Sequence, residues 1–202
     1  MTDVIGVAGD YVVKNELHID AKKFQVQHLE RPIDLGRKFD LVTSFEVAEH
    51  LSADKSQSFV KTLTHHSNAI LFSAATVGQG GENHINERSL ESWRDMFAAQ
   101  GFYPYDFLRP VFEKCSSVKP WYRYNTLLYL NSEGFKRYRS VRSLNKINKS
   151  CPIPIYGDWR WKLRTFFVRM MPRYLVDWVA IRNSKIVEKS KTDYSWWQYA
   201  FI

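Results

Sequence analysis

Lys38-Phe-Asp-Leu-Val-Thr-Ser-Phe-Glu-Val-Ala-Glu-His-Leu51 is the stretch on which the fold is decided. Residues 39–45 read as a short buried strand, because Leu41 and Val42 are apolar and β-compatible residues surround them. The period then changes. Glu46, Glu49 and His50 stand at i, i+3 and i+4, so a helical turn starting at Val47 would put all three polar side chains on one face. A strand running into such a turn is a β-to-α junction, and in open α/β sheets ligands bind at that edge. Two carboxylates and an imidazole gathered there suit a divalent cation, and the hard oxygen ligands point to Mg²⁺ or Mn²⁺.

Upstream, residues 3–8 form an apolar run closed by Gly9-Asp10, which reads as a strand entering a turn. Residues 11–20 read as a short helix or irregular chain, and residues 24–28 alternate apolar and polar as a strand does. Arg31-Pro32 and Gly36 punctuate the loop that follows. Downstream, Ser52 or Asp54 is placed to cap a helix over 55–66 whose apolar face holds Phe59, Val60 and Leu63. Residues 68–75 are nearly all apolar and read as a strand buried on both faces. A Gly-rich loop, Gly78 to Gly81, leads past His84 to Asn86. A helix over 89–100 follows, with Leu90, Trp93, Met96 and Phe97 on one side and Gly101 as its stop. Residues 101–112 and 121–131 read as two final strands. Strands alternating with helices predict an α/β fold with a doubly wound, mostly parallel sheet. That topology places His84 beside the first site, as a fourth metal ligand or as a general base toward an acceptor hydroxyl or amine.

At these residues the chain resembles class I S-adenosylmethionine-dependent methyltransferases. Asp40-Leu-Val-Thr-Ser-Phe-Glu-Val-Ala-Glu-His-Leu51 is similar to their fourth strand and the turn after it. The likeness continues through Ile70-Leu-Phe-Ser-Ala-Ala75, Gly78-Gln-Gly-Gly-Glu-Asn-His-Ile-Asn-Glu87 and Trp93 to Arg109. A similar Glu-x-x-Glu-His with a distant His occurs in small-RNA 2′-O-methyltransferases and in ubiquinone-pathway O-methyltransferases, where the metal holds the acceptor hydroxyl. The resemblance therefore implies a Rossmann-like domain over 1–132 with a closing antiparallel pair. It also implies transfer of a methyl group to a hydroxyl or amine, with Glu46, Glu49, His50 and His84 around the acceptor and the metal. S-adenosylmethionine would then lie along Gly9, Asp10, His28, Leu29, Ser44 and Phe45. The family's first strand and Gly-rich turn would precede Asp3, so the chain reads as starting part-way into the fold, with a partner chain as one way to complete the sheet. Ala8 stands where the family carries an acid for the ribose, and His28 where it carries Asp. These departures support the rival reading, a methyltransferase-like binding or scaffold module, or a gene fragment, without activity of its own.

At 202 residues, 45% apolar and 15% aromatic, the chain has the composition of a folded domain with an extension. Two cysteines, Cys115 and Cys151, make neither a disulfide framework nor a zinc pattern, which favours a reducing, cytoplasmic setting. The net charge of +8 is unevenly placed: residues 1–132 carry 14 Lys+Arg against 16 Asp+Glu, and residues 133–202 carry 15 against 5. Cys151-Pro-Ile-Pro-Ile-Tyr-Gly157 reads as a linker, and residues 159–171 and 173–182 as helices separated by Pro172. Three readings suit this basic extension with five tryptophans, Trp159, Trp161, Trp178, Trp196 and Trp197. It could rest peripherally on an anionic membrane, bind a polyanion such as nucleic acid, or bury its aromatics against the sheet. On a helical wheel Arg160 and Arg164 fall nearly opposite Lys162 and Arg169, so the first helix is not cleanly amphipathic.

Overall fold

The computed structural model describes residues 3–12, 17–138, 141, 146–148 and 150–189, with side chains as far as 183. It is a mixed α/β structure with two sheets. In the smaller, β1 (Gly6–Ala8) runs parallel to β2 (Phe24–Val26). The larger contains β3 (Val42–Phe45), β4 (Ala69–Ser73), β5 (Tyr103–Tyr105) and β6 (Leu127–Leu130) in the order β3-β4-β6-β5. Val42 pairs with Ile70 and Phe45 with Ser73 in the parallel β3–β4 ladder, whereas β6 runs antiparallel to both β4 and β5. The sheets are thus parallel around the organising stretch and antiparallel beyond it. Among the described residues no strand joins β1 to β3, so the single sheet expected from the sequence is two.

The connection from β3 to β4 is α1 (Ser56–His66), which buries Phe59, Val60 and Leu63 as its apolar periodicity predicts. Neither Ser52 nor Asp54 caps it. A 3-10 turn over Ala53–Lys55 leads straight into the helix, and Ser52 donates its N–H and hydroxyl to the Glu30 carboxylate at 2.7 and 2.6 Å. Helix α2 (Leu90–Ala98) is capped by the Ser89 hydroxyl, which accepts from the Ser92 N–H at 3.2 Å; after it Gly101, at φ 79°, turns the chain away.

The two final strands expected over 101–112 and 121–131 are each half helix. The first stretch yields β5 and then α3 (Leu108–Phe112). The second is preceded by Pro120 at the first helical position of α4 (Pro120–Asn125), and only then enters β6. Pro104 is tolerated because β5 lies at the sheet edge. Helix α5 (Ser132–Arg137) follows, its first turn held by the Asn131 side chain, which accepts from Gly134 N–H at 2.9 Å.

The main core gathers Val7, Val42, Ile70, Phe72, Trp93, Phe97 and Tyr129, all at most 2% exposed. Phe97 stacks on Tyr129 with ring centroids 3.9 Å apart, and Phe72 tilts against Trp93 at 5.1 Å. The stretch expected to be a linker is instead a strap. Ile153 sits in that core, its N–H donating to Glu91, and the Cys151 and Pro154 carbonyls accept from Arg94 and Arg109. Beyond it lie α6 (Trp159–Met170) and α7 (Arg173–Lys189), flanking Pro172. No helix among the described residues is long and apolar enough to cross a membrane.

Candidate functional site

The site begins where β3 ends. Glu46 has φ 52°, a left-handed backbone uncommon outside glycine, and its N–H donates to the Ser73 carbonyl at 3.1 Å. The Glu46 carboxylate accepts from the Ser73 hydroxyl at 2.9 Å and from the Gln79 amide at 2.6 Å; Gln79 in turn accepts from Asn125 at 2.7 Å. Ala48–His50 forms a single 3-10 turn rather than an α-helix. The expected helical face with Glu46, Glu49 and His50 side by side is therefore not formed.

Glu49 is fully buried, its carboxyl set against the Glu46 carboxyl and the Ala75 backbone without a well-aligned hydrogen bond to either oxygen. Burial pushes its carboxyl well above the ordinary carboxylate range, and the neighbouring Glu46 charge pushes in the same direction. Its backbone carbonyl accepts from the N–H groups of Ile85 and Asn86 at 2.8 and 2.9 Å, which holds the loop carrying His84 over the turn. His50 is an exposed residue with a crowded ring. Loss of water around that ring, helped by His84, lowers its pKa to about 4, against the pull of the Asn83 carbonyl 3.3 Å from Nδ1. Because a carbonyl only accepts, that contact puts the proton on Nδ1 and leaves Nε2 as the free lone pair.

His84 is fixed in the same manner, its Nδ1 lying 3.1 Å from the Glu87 carboxylate. Glu87 also accepts from the Gly78 and Gly80 N–H groups at 2.8 and 2.6 Å. Burial favours protonating Glu87, but the hydrogen bonds from His84, Gly78 and Gly80 outweigh it and hold its pKa low. The His50 and His84 rings meet edge to face, centroids 4.9 Å apart. Glu49, His50 and His84 each offer one ligand atom within 4.8 Å of the others. Three of the four metal ligands expected from the sequence thus come together. Glu46 stands beside them, near enough to raise the Glu49 pKa, with its own oxygens committed elsewhere.

The residues expected along a cofactor groove are divided between the two sheets. Gly9 and Asp10 lie in the turn after β1, and Asp10 is exposed. His28 is exposed after β2, its Nδ1 accepting weakly from Glu30 N–H at 3.4 Å, whereas Leu29 is a core residue. Ser44 is fully buried in β3 with an unpartnered hydroxyl, and Phe45 packs edge-on against Tyr122 at 6.0 Å. Ala8 is buried and offers only its carbonyl, taken by Gln27 N–H at 2.9 Å.

Sequence reasoning missed Gln79, Glu87, Tyr122 and Asn125. Glu87 was legible as an acid three residues after His84, and Pro120 marked the helix that delivers Tyr122 and Asn125. Burial, reinforced by the Glu46 charge, pushes the Tyr122 hydroxyl up to about 12, so it stays protonated as a donor. Beside His84 a cleft of about 650 Å³ opens between residues 77–88 and the hairpin of α6 and α7. Three arginines join the two: Arg164 and Arg169 donate to the carbonyls of Gln79 and Val77 at 2.5 and 2.8 Å, and Arg173 donates to that of His84. No family model, no curated protein and no solved structure matches the chain.

Proposed function

We propose that the protein is a methyltransferase-like α/β domain of Rossmann-like type, in which Glu49, His50 and His84 hold a divalent cation at an acceptor site. The reaction class proposed is methyl transfer from S-adenosylmethionine to a hydroxyl or amine. The observation that carries this reading is the buried Glu49 carboxylate, with one oxygen within 4.8 Å of ring nitrogens of two imidazoles whose Nδ1 atoms are both engaged by other groups. A buried carboxylate needs a proton, a hydrogen bond or a cation. A proton shared with the neighbouring Glu46 carboxylate meets that need when no ion is bound, and a cation between Glu49 and the two imidazoles meets it when one is. Outer groups that fix both histidine tautomers are the usual companions of metal-ligating histidines. The closing antiparallel ladder of β5 and β6 also agrees with what the family resemblance implies.

The donor set of two imidazoles and one carboxylate suits Mn²⁺ better than Mg²⁺, which prefers oxygen alone. A bound ion supplies Lewis-acid polarisation and a template for the acceptor oxygen or nitrogen. The chain's own residues do the rest. Glu87 keeps His84 presenting Nε2, which favours His84 as a ligand over a free general base. Glu46, its pKa raised by burial against the lowering hydrogen bonds of Gln79 and Ser73, stands beside Glu49 as the second carboxylate of the site.

The residues offered for S-adenosylmethionine do not fit it as well. Ala8 has no side-chain acceptor for the ribose, Leu29 is spent in the core, and the rest divide between sheets that share no ladder among the described residues. This mismatch favours a second reading, a cation-binding module with no transfer activity of its own. Calorimetry with Mn²⁺ tests the shared premise. One site is expected in the wild type, weakened at least about tenfold by His50→Ala and by His84→Ala, as loss of a ligand should do. Equal heats from all three proteins would remove the metal, and with it the acceptor site.

A further inference from the structure

Helix α6 has no buried residue, yet it is rich in large apolar side chains. Trp159, Leu163, Phe166, Phe167 and Met170 are between 47 and 71% exposed. At ~100° per residue these five fall within an arc of about 100°, a continuous apolar stripe. Arg160 borders that stripe on one side and Lys162 on the other. The cations that spoil the amphipathic pattern in the sequence, Arg164 and Arg169, lie farther round the helix, one beyond Arg160 and one beyond Lys162, and are bound to the loop carbonyls of Gln79 and Val77. Helix α7 repeats the arrangement. Val176 packs over Gly80, while Tyr174 and Trp178 are exposed at 71 and 56%, with Ile181 and Arg182 beside them. Arg160 lies over the Trp159 ring and Arg182 over the Trp178 ring, each 5.4 Å from the centroid.

We propose that the outward face of α6 and α7 docks the protein on an anionic lipid bilayer, lying in the interface without crossing it. An exposed stripe of indole, phenyl and aliphatic side chains bordered by Arg and Lys is what an interfacial helix requires: the apolar part enters the headgroup boundary and the cations meet lipid phosphates and carboxylates. Tryptophan and tyrosine are favoured at that depth. The charge selects among occupants. A second copy would bring the same cationic helices against this face, and like charges oppose each other. A nucleic acid would use the arginines and some rings, but Leu163, Met170 and Ile181 offer it neither a phosphate contact nor a stacking surface. The inward arginines tie the docking hairpin to the loop that carries His84. The inference stands on the exposed face alone and does not depend on the metal or on methyl transfer.

Flotation of the whole protein with vesicles tests it. Binding is expected to phosphatidylcholine–phosphatidylserine vesicles, with little to phosphatidylcholine alone, and should weaken as salt rises from about 0.05 to about 0.5 M. Combined Trp159→Ser, Phe166→Ser, Phe167→Ser and Met170→Ser should cost at least about tenfold in vesicle affinity while leaving the circular dichroism spectrum unchanged. Arg160→Glu with Lys162→Glu should erase the preference for anionic lipid. Equal flotation of wild type and the serine variant would overturn the proposal, as would no flotation at either composition. Retention on heparin without flotation would assign the face to polyanions, and a dimer abolished by the serine variant without flotation would assign it to a second copy; either overturns the proposal.

Discussion

Glu49 combines full burial, a second carboxylate beside it and two imidazole neighbours, a set of conditions that a proton or a cation relieves. Without metal, replacing it by the neutral Glu49→Gln should stabilise the fold by about 1–3 kcal/mol at neutral pH. The sign follows from the raised pKa: the folded protein holds the Glu49 proton more tightly than the unfolded chain. Its contribution to stability is therefore intact below the unfolded pKa of ~4.5 and lost as pH rises through the folded value. The variant's advantage should accordingly vanish near pH ~4.5 and grow toward neutrality. Thermal unfolding in chelator across that range checks it, and Mn²⁺ should then raise the Tm of wild type alone. Gly81 offers a gentler perturbation. A Cβ there would run into the His84 ring, so Gly81→Ala should weaken Mn²⁺ binding about tenfold, close to ~1.4 kcal/mol, with little change in Tm. Calorimetry beside a melting curve separates the two effects.

The strap over residues 151–157 shows how an element without regular structure can be integral to a fold. Arg109 is fully buried, paired with Asp106 at 2.5 Å, and donates to the carbonyls of Tyr124 and Pro154 at 3.2 and 3.0 Å. One side chain thus joins α3, α4 and the strap. Arg109→Met should cost about 3–5 kcal/mol in urea unfolding, because Asp106 is left mostly buried without its counter-charge. A loss below ~1 kcal/mol would mean that the strap holds through Ile153 and Arg94 alone. The α6–α7 hairpin is different in kind, since arginine contacts to the 77–84 loop and a few inward apolar side chains, Val168 and Val176 over Gly80, seat it while its main apolar stripe faces outward.

At the scale of the whole molecule, the division into two sheets separates the residues expected at the two candidate sites. The candidate metal ligands all come from the β3 junction and the loop beyond β4, so they assemble within one body of structure. The proposed donor residues straddle β1, β2 and β3, and the Glu30–Ser52 contacts link the loop after β2 to the loop after β3 with no shared ladder. S-adenosylmethionine should therefore bind more weakly than about 100 μM, since two or three missing charge-assisted hydrogen bonds cost ~1.5–3 kcal/mol each. Titration of the whole chain measures this directly, and a dissociation constant near 1 μM would show that Asp10, His28 or a partner chain compensates.

What the sequence determined by itself is whatever local pattern dictates. The apolar runs at Val42 and Ile70 became parallel strands, the spacing of Phe59, Val60 and Leu63 became a buried helix face, and Gly101 ended α2, because side-chain periodicity and backbone freedom need no distant partner. The 38–51 stretch offered Glu46, Glu49 and His50 as candidate ligands, and the Gly-rich loop after the next strand offered His84. The tertiary structure decided which of them meet. Glu46 left the group because a left-handed backbone after β3 hands its carboxylate to Ser73 and Gln79, contacts across 27 and 33 residues that no local period encodes. It also decided the outward character of α6. Four arginines and lysines around one helix read as noise until two of them, Arg164 and Arg169, are spent on carbonyls of a loop about 90 residues earlier. Long-range hydrogen bonds choose among the faces that a sequence leaves equivalent, because each buried carbonyl must find a donor wherever the fold supplies one.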